Sequence, residues 1–350
     1  MLMREPNKLQ NRISWLDYGK GISMLLIILF HVDMIYAGES SLLVNLFFYH
    51  TSIAFFFFTS GYVAKIEKFD FKNSISYIIK RLLIPYFIFS TIIYTIKYPL
   101  RGMDIDFFTM LYDIFGGIAS WFVAALVVSR LALSIILKFT KSISIIGICC
   151  LLLSVVGFIV TQYLEAPVLW FANYGLISMI YIYLGIVYRK YESVIKEKIK
   201  LQVIVSTSLY LALVLIDLYL LKESQWHDIC ASSYIYGLKA GQVIILRALY
   251  YIITSILGLW MMVLLLKLIP ENVKMLSYIG INSLTYYYLN GGLIFFTTLV
   301  LNKHGFPYNG NYLWALLLFI SVVLILTISS ELIHRFAPWM IGDFKKKDKL

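Results

Sequence analysis

The sequence contains few charged residues and few cysteines. Asp, Glu, Lys and Arg make up 14% of its 350 residues, whereas hydrophobic residues make up 61%. Soluble domains contain roughly 25% charged residues, so this composition excludes a soluble protein and predicts one that uses lipid as its solvent. The spacing of Cys149, Cys150 and Cys230 fits neither a metal site nor an even set of disulfides. We expect packing cysteines and no bound metal.

The sequence also lacks a polar segment long enough to form a separate soluble domain. The longest stretches between its apolar runs lie near 99–119 and 222–241. A helix crosses a bilayer core about 30 Å thick with roughly 20 apolar residues, and runs of that size recur along the chain. We therefore predict an all-α bundle of about ten membrane-spanning helices. The predicted spans are 14–36, 43–64, 82–98, 120–138, 142–163, 168–188, 201–221, 242–267, 278–301 and 311–333.

The basic residues concentrate at the ends of the apolar runs. A formal net charge of +11 would suit nucleic acid in a soluble protein. Here the segments on one side of the predicted membrane hold 22 Lys and Arg, and those on the other side hold five. This bias predicts that both termini are cytoplasmic. We expect membrane lipids and no nucleic acid as partners.

The N-terminus begins like a signal peptide, with three basic residues ahead of an apolar run. No small-residue cleavage site follows, and Asp17 and Lys20 lie inside the run. We therefore expect a retained first helix. The chain is then a single membrane domain, 1–350, that ends in a basic cytoplasmic tail, 334–350.

The first span carries the densest set of ionisable residues, and burying such groups in a bilayer costs about 3 kcal/mol each. Lys20 and His31 are eleven residues apart, which places them within about 20° of one helix face and roughly 16 Å apart along the axis. Asp17 lies on that face as well. Lys20 is either an interfacial anchor paired with Asp17 or a functional residue, and His31 is either a structural histidine or a general base. Asp33 is expected at the outer end of the helix.

The second span begins near His50 and ends in Ser60, Gly61 and Tyr62. The small residues Ser60 and Gly61 permit close approach of a backbone or a ligand, so helix packing and a functional role both remain open.

A basic amphipathic stretch ends in Lys80 and Arg81 shortly before Pro85, which suits a first helical turn. The two cations either follow the general excess of positive charge in the cytoplasm or bind phosphate groups.

Together these segments resemble the acyltransferase 3 family of bacterial integral membrane acyltransferases, in its fucose 4-O-acetylase-like branch. The resemblance runs in order along essentially the whole chain and implies a multi-pass protein of the bacterial inner membrane. The strings that carry it are Trp15 to Gly21 through His31, Phe55 to Tyr62, Arg81 to Tyr86, Ser120 to Phe122, Ile279 to Leu284 and Pro338 to Gly342.

The resemblance implies an O-acetyltransferase that uses cytoplasmic acetyl-coenzyme A as its donor and co-substrate. His31 would be the catalytic histidine. Lys20, Lys80 and Arg81 would hold the phosphates or the pantetheine arm of the donor. An extended pantetheine arm is of the same order as the distance of roughly 16 Å between Lys20 and His31.

The acceptor implied by the resemblance is a sugar hydroxyl of a surface polysaccharide, such as a capsule in the cell envelope, or of its lipid-linked precursor. Ser60 and Tyr62 are candidate donors to the oxyanion of the transition state. Either direct transfer or an acetyl-histidine intermediate is compatible with the sequence. The residues expected to contact the acceptor are Asp17, Asp33, His50, Trp121 and Asn290.

Two positions depart from the family pattern. Asn290 occupies a position near which family members commonly carry a histidine, and Ala124 replaces a proline expected after Trp121 and Phe122. An asparagine amide forms hydrogen bonds but cannot relay a proton.

Two other functions compete with acyl transfer. The first is export of a polysaccharide or a lipid-linked sugar, in which aromatic residues such as Trp226 and Tyr234 would stack on sugar rings. The second is a structural or sensory membrane protein, which would leave the alignment of Lys20 with His31 unexplained.

Overall fold

The computed structural model describes residues 13–38, 43–100, 106–163, 168–195, 199–216 and 245–344. It is 86% helical, and the residues that it describes contain no strand, in agreement with the predicted all-α class. The α-helices are α1 (Ser14–Val32), α2 (Leu43–Tyr62), α3 (Phe71–Ile78), α4 (Ile84–Leu100), α5 (Phe107–Phe115), α6 (Trp121–Phe139), α7 (Ile143–Tyr163), α8 (Ala172–Ile177), α9 (Met179–Ile195), α10 (Ile199–Ile216), α11 (Ile245–Leu266), α12 (Lys274–Ile281), α13 (Ser283–Lys303) and α14 (Tyr312–Phe336).

Seven helical segments in the described residues are long and apolar enough to cross a membrane. A bent pair, Leu169–Ile177 with Met179–Val194, raises the number to eight if it forms one broken span. The described residues thus fall short of the predicted count of ten. In α11 the shorter stretch Ile252–Leu266 is apolar. The predicted loop 222–241, with Trp226, Tyr234 and Cys230, lies outside the described residues.

The third predicted span begins earlier than expected, because the helix starts at Phe71 and not near residue 82. A π-helical turn, Ile79–Leu83, joins α3 to α4, and the Ile84 amide donates to the carbonyl of Ile79. Pro85 follows directly and has no amide hydrogen, so the wide turn lies where regular helical hydrogen bonding would be interrupted in any case. Lys80 and Arg81 therefore project from a continuous helix and not from a loop.

Helix α1 lies between two apolar clusters. It contacts α2 and α11, whose apolar side chains share one cluster with Leu16 and Tyr18, and it contacts α12, α13 and α14, whose apolar side chains share the other cluster with Met24 and Ile28. The approach of α12 is close, because a Cβ on Gly280 would collide with the Asp17 carbonyl and one on Gly21 would collide with the Leu276 carbonyl. Small residues permit this backbone contact between α1 and α12.

Helices α2 and α9 cross in the same way. A Cβ on Gly61 would collide with the Ile182 carbonyl, and one on Gly185 would collide with the Phe58 carbonyl. Of the two roles left open for the small pair at the end of α2, helix packing is therefore the one that Gly61 fulfils.

The predicted loop 99–119 contains a helix, α5, whose first turn is capped by Asp106. A hydrogen bond from the Thr109 side chain, together with those from the backbone amides of Phe108 and Thr109, lowers the pKa of Asp106. At the other end of α5, Trp170 donates its indole hydrogen to the Phe115 carbonyl (2.9 Å). Because Trp170 has a φ of 57°, this contact anchors α5 to a strained segment before α8.

Candidate active site

His31 and Asn290 meet inside the bundle although 259 residues separate them in the chain. His31 lies in the last turn of α1, Asn290 lies in the first half of α13, and His31 Nδ1 is 2.6 Å from Asn290 Oδ1. The His31 ring is partly buried beside Phe30, at 5.8 Å between ring centroids. The structure thus brings together the predicted base and the residue that departs from the family pattern.

Asn290 is held in place on its other side by the backbone of its own helix. Its amide nitrogen donates to the carbonyls of Tyr286 (3.1 Å) and Tyr287 (2.6 Å), and the residue is 1% exposed. The predicted contact between Asn290 and an acceptor therefore stays a prediction, because the contacts that the structure shows lead to His31 and to the helix.

Asp33 lies at the end of α1, as expected, but it is buried inside the protein. It begins a π-helical turn, Asp33–Ala37, that extends α1, and it is fully buried. The Gly38 amide closes this turn on the Asp33 carbonyl at 3.1 Å. The carboxyl is therefore surrounded by protein, and its predicted contact with an acceptor stays a prediction.

Lys20 and Asp17 form an ion pair on α1, with Nζ and Oδ1 2.7 Å apart. This is the pairing that the sequence left open for Lys20. Asp17 lies under the close approach of Gly280. Its carboxylate is therefore a partner of Lys20, and its predicted contact with an acceptor stays untested.

Lys80 and Arg81 are exposed on the π-helical turn before α4. The segment after α14 packs against them: Gly342 lies against the Lys80 carbonyl, and Asp343 Oδ1 is 3.5 Å from Arg81 Nη2. Because α14 ends where α1 begins, these two cations lie on the same side of the bundle as Lys20.

Ser60 and Tyr62 lie at the opposite end of α1 from His31. The Tyr62 hydroxyl donates to Glu192, and its ring is 5.2 Å from that of Trp15. We call this region the Trp15 end of the bundle. Trp15 and His31 are sixteen residues apart, or about 24 Å along the helix. Tyr62, and Ser60 two residues before it, are thus not beside His31, and the geometry gives no support to their predicted oxyanion role.

An aromatic cluster lies next to Asn290. Phe122 contacts Phe56 (5.4 Å between centroids) and Tyr287 (5.1 Å), and Trp121 stands half-buried at the start of α6. The side chain of His50 lies outside the described residues, so its predicted role is not addressed. In the described part of the chain, no group of three or more His, Cys, Asp and Glu side chains could hold a metal ion.

Comparison with known protein families identifies the family of this chain. The family described as an acyltransferase domain matches residues 13–331. The chain is a member of this acyltransferase 3 family. No curated protein and no solved structure matches it significantly. The protein is therefore a membrane acyltransferase with several apolar helices.

The strings that resemble the family contact one another in this acyltransferase. Trp15 packs on Phe58 of the second string, and Phe122 of the fourth string packs on Phe57. Gly280 lies against the first string, and Gly342 lies against the turn that carries Arg81. Segments that are far apart in the chain are thus brought together in the fold.

Two polar pairs of the acyltransferase are absent from the predicted site residues. His334 Nε2 is 2.6 Å from Asn282 Oδ1, and Lys267 forms an ion pair with Glu192 beside Trp15. Asn282 belongs to one of the matching strings, which was the available signal for the first pair. Lys267 is one of the 22 Lys and Arg of the predicted cytoplasmic segments, and the sequence gives no further signal for its pairing with Glu192.

Proposed function

We propose that this acyltransferase transfers an acetyl group from acetyl-coenzyme A to a sugar hydroxyl. The acceptor is a cell-surface polysaccharide or its lipid-linked precursor, as expected for the fucose 4-O-acetylase-like branch. The protein would lie in the bacterial inner membrane with both termini in the cytoplasm, so that the donor reaches the Trp15 end.

The observation that carries this proposal is the hydrogen-bonded imidazole of His31 within the membrane-spanning part of α1. An imidazole is the side chain best suited to general-base catalysis near neutral pH. His31 takes the proton of the sugar hydroxyl while that oxygen forms a bond to the acetyl carbonyl carbon. The C–S bond breaks, and the departing thiolate of coenzyme A receives the proton from His31. No net proton is gained or lost.

The placement of the cations supports a donor that enters from the Trp15 end. Lys20 precedes His31 by roughly 16 Å along α1, and Lys80 and Arg81 are exposed on the same side. Guanidinium and ammonium groups bind phosphate oxygens strongly. The phosphates of the donor would remain in water there, while the pantetheine arm carries the thioester toward His31.

The aromatic residues near Asn290 support an acceptor with flat apolar faces. Trp121 contacts Tyr174 (5.7 Å between centroids), and the residue is half-buried. Such a ring offers a large rigid surface on which a sugar can stack. We assign Trp121 to acceptor binding on this ground.

The test is acetyl transfer by purified protein in nanodiscs, with labelled acetyl-coenzyme A and candidate glycans, followed by NMR of the O-acetyl groups. We expect transfer by the native protein and none by His31→Ala. His304→Ala is the matched control, because His304 is exposed at the end of α13. Equal transfer by His31→Ala at normal protein level would remove His31 from the mechanism. Glycan export without acetyl transfer would support the exporter and overturn the proposal.

A further inference from the structure

We infer that Asn290 fixes His31 in the tautomer that carries its hydrogen on Nδ1, which leaves Nε2 as the atom that accepts the proton of the acceptor. Asn290 is then a positioning residue, because it acts through His31 and not on the substrate. The assignment of the tautomer rests on geometry alone. Its consequence for catalysis rests on the proposed function.

The direction of the Asn290 amide follows from its three contacts. Two of its neighbours are the carbonyls of Tyr286 and Tyr287, at 3.1 Å and 2.6 Å. A carbonyl oxygen only accepts hydrogen bonds, so the group that faces both must be the NH₂. The amide oxygen is then the atom that faces His31, at 2.6 Å from Nδ1.

The opposite direction of the amide is unfavourable. Turning the amide over would set its oxygen against two carbonyl oxygens and would remove two hydrogen bonds from a residue that is 1% exposed. A buried polar group left without a partner costs about 1–3 kcal/mol. Two such losses would bias the amide by far more than thermal energy.

The direction of the amide decides the tautomer of His31. An amide oxygen that lies 2.6 Å from a ring nitrogen needs a hydrogen between them, so Nδ1 carries the hydrogen. In a neutral imidazole the other ring nitrogen is then unprotonated, and Nε2 offers its lone pair. A protein commonly selects the reactive nitrogen of a histidine through the hydrogen bond that the other nitrogen makes.

An asparagine at position 290 constrains the hydrogen bond to His31 more tightly than the histidine expected near this position would. A histidine exists in two tautomers and can carry a charge, so it could either donate to His31 or accept from it. The amide of Asn290 is neutral, and its backbone contacts allow one direction only. Asn290, which departs from the family pattern, therefore fixes the hydrogen on Nδ1 of His31 and cannot relay a proton itself.

The test is ¹⁵N solid-state NMR of histidine-labelled protein in lipid, which reports on each ring nitrogen separately. The His31 signals are identified by their loss in His31→Gln. We expect a protonated Nδ1 and an unprotonated Nε2 in the native protein. An unprotonated Nδ1 in the native protein would overturn the inference, whatever the activity of any variant.

Two variants separate positioning from mere packing. Asn290→Leu removes the acceptor oxygen, so we expect loss of the single Nδ1–H tautomer and a kcat lowered about ten- to a hundredfold, with the donor KM unchanged. Asn290→Asp retains an acceptor oxygen, and as a neutral acid its hydroxyl can donate to the carbonyl of Tyr286 or Tyr287, so Nδ1 should stay protonated. Asn302→Leu, which alters an exposed residue of the same helix, is the control and should change neither signal nor rate. A single Nδ1–H tautomer in Asn290→Leu would overturn the inference.

The outcomes also distinguish the inference from the proposed function. If His31 carries its hydrogen on Nδ1 but no acetyl-coenzyme A is consumed with any glycan, the proposed reaction fails and the assigned tautomer stands. If transfer occurs and depends on His31 while Nδ1 is unprotonated, the reaction stands and the role of Asn290 fails.

Discussion

The ammonium of Lys20 lies 2.7 Å from the carboxylate of Asp17, one helical turn earlier on α1. The side chain of Asp17 is 8% exposed and that of Lys20 is 25% exposed. The pair thus consists of a buried acid and a cation that still reaches solvent. Because Gly280 packs on the backbone of Asp17, the position of Lys20 is tied to the contact between α1 and α12.

Removal of the Lys20 charge should weaken binding of the donor. A charge-assisted hydrogen bond to a phosphate contributes about 1.5–3 kcal/mol, so Lys20→Ala should raise the donor KM roughly ten- to a hundredfold, with a smaller effect at saturating donor. Lys20→Arg should recover much of this loss if Lys20 acts as a point charge. The measurement is steady-state kinetics in nanodiscs with acetyl-coenzyme A varied. A lower kcat with unchanged KM would instead place Lys20 in the transition state with His31.

Removal of the Asp343 charge should strengthen donor binding. Asp343 is 3.5 Å from Arg81, and both side chains are substantially exposed, so the carboxylate competes with a phosphate for the same guanidinium. Exposed ion pairs are worth about 0–1 kcal/mol, and we expect Asp343→Asn to lower the donor KM by no more than about fivefold. The effect should vanish in an Arg81→Ala background. An equal effect with and without Arg81 would show that Asp343 acts elsewhere.

Much of the fold follows from the apolar runs. Each predicted span overlaps a helix, because a bilayer imposes a minimum apolar length on any helix that crosses it. The missed features are polar: the helix from Phe71 continues through Lys80 and Arg81, and Asn282 marks the break between α12 and α13. Hydrophobicity alone does not tell whether a polar stretch between two apolar runs is helical.

The candidate site was only partly predictable. The spacing of Lys20 and His31 followed from helix geometry within one element. The contact of His31 with Asn290 depends on how α13 is placed against α1, and the two residues are 259 positions apart in the chain. The opposite error concerns Tyr62, which was predicted to act together with His31 but lies beside Trp15 at the other end of α1. Contacts between helices require the packing, which one sequence does not reveal.

Gly280→Ala should destabilise the protein. A Cβ at this position would collide with the Asp17 carbonyl, and overpacking of this kind costs about 1–3 kcal/mol. Gly292→Ala is the matched control, because no atom lies within 4 Å of a Cβ built there. Alanine is favoured over glycine in a helix by up to about 1 kcal/mol, so this control should be neutral or stabilising. The measurement is thermal unfolding in detergent. Equal stability of the two variants would contradict the close contact of α12 with α1.

Loss of one partner of the pair Lys267 and Glu192 should cost more stability than loss of both. Their side chains are 9% and 21% exposed, and Lys267 Nζ lies 4.6 Å from the centroid of the Trp15 ring. Removing one partner of a buried ion pair costs about 3–5 kcal/mol, because the other charge is left without compensation in a poorly solvated site.

We therefore expect Lys267→Met to lower the unfolding temperature in detergent sharply, and the double variant Lys267→Met with Glu192→Gln to recover much of the loss. The recovery should be incomplete, because the Tyr62 hydroxyl still donates to residue 192 and the cation over Trp15 is gone. Lys190→Met, an exposed lysine on α9, is the control and should change stability by no more than about 0.5 kcal/mol. If the effects of the two single variants simply add in the double variant, the two charges do not interact and this prediction fails.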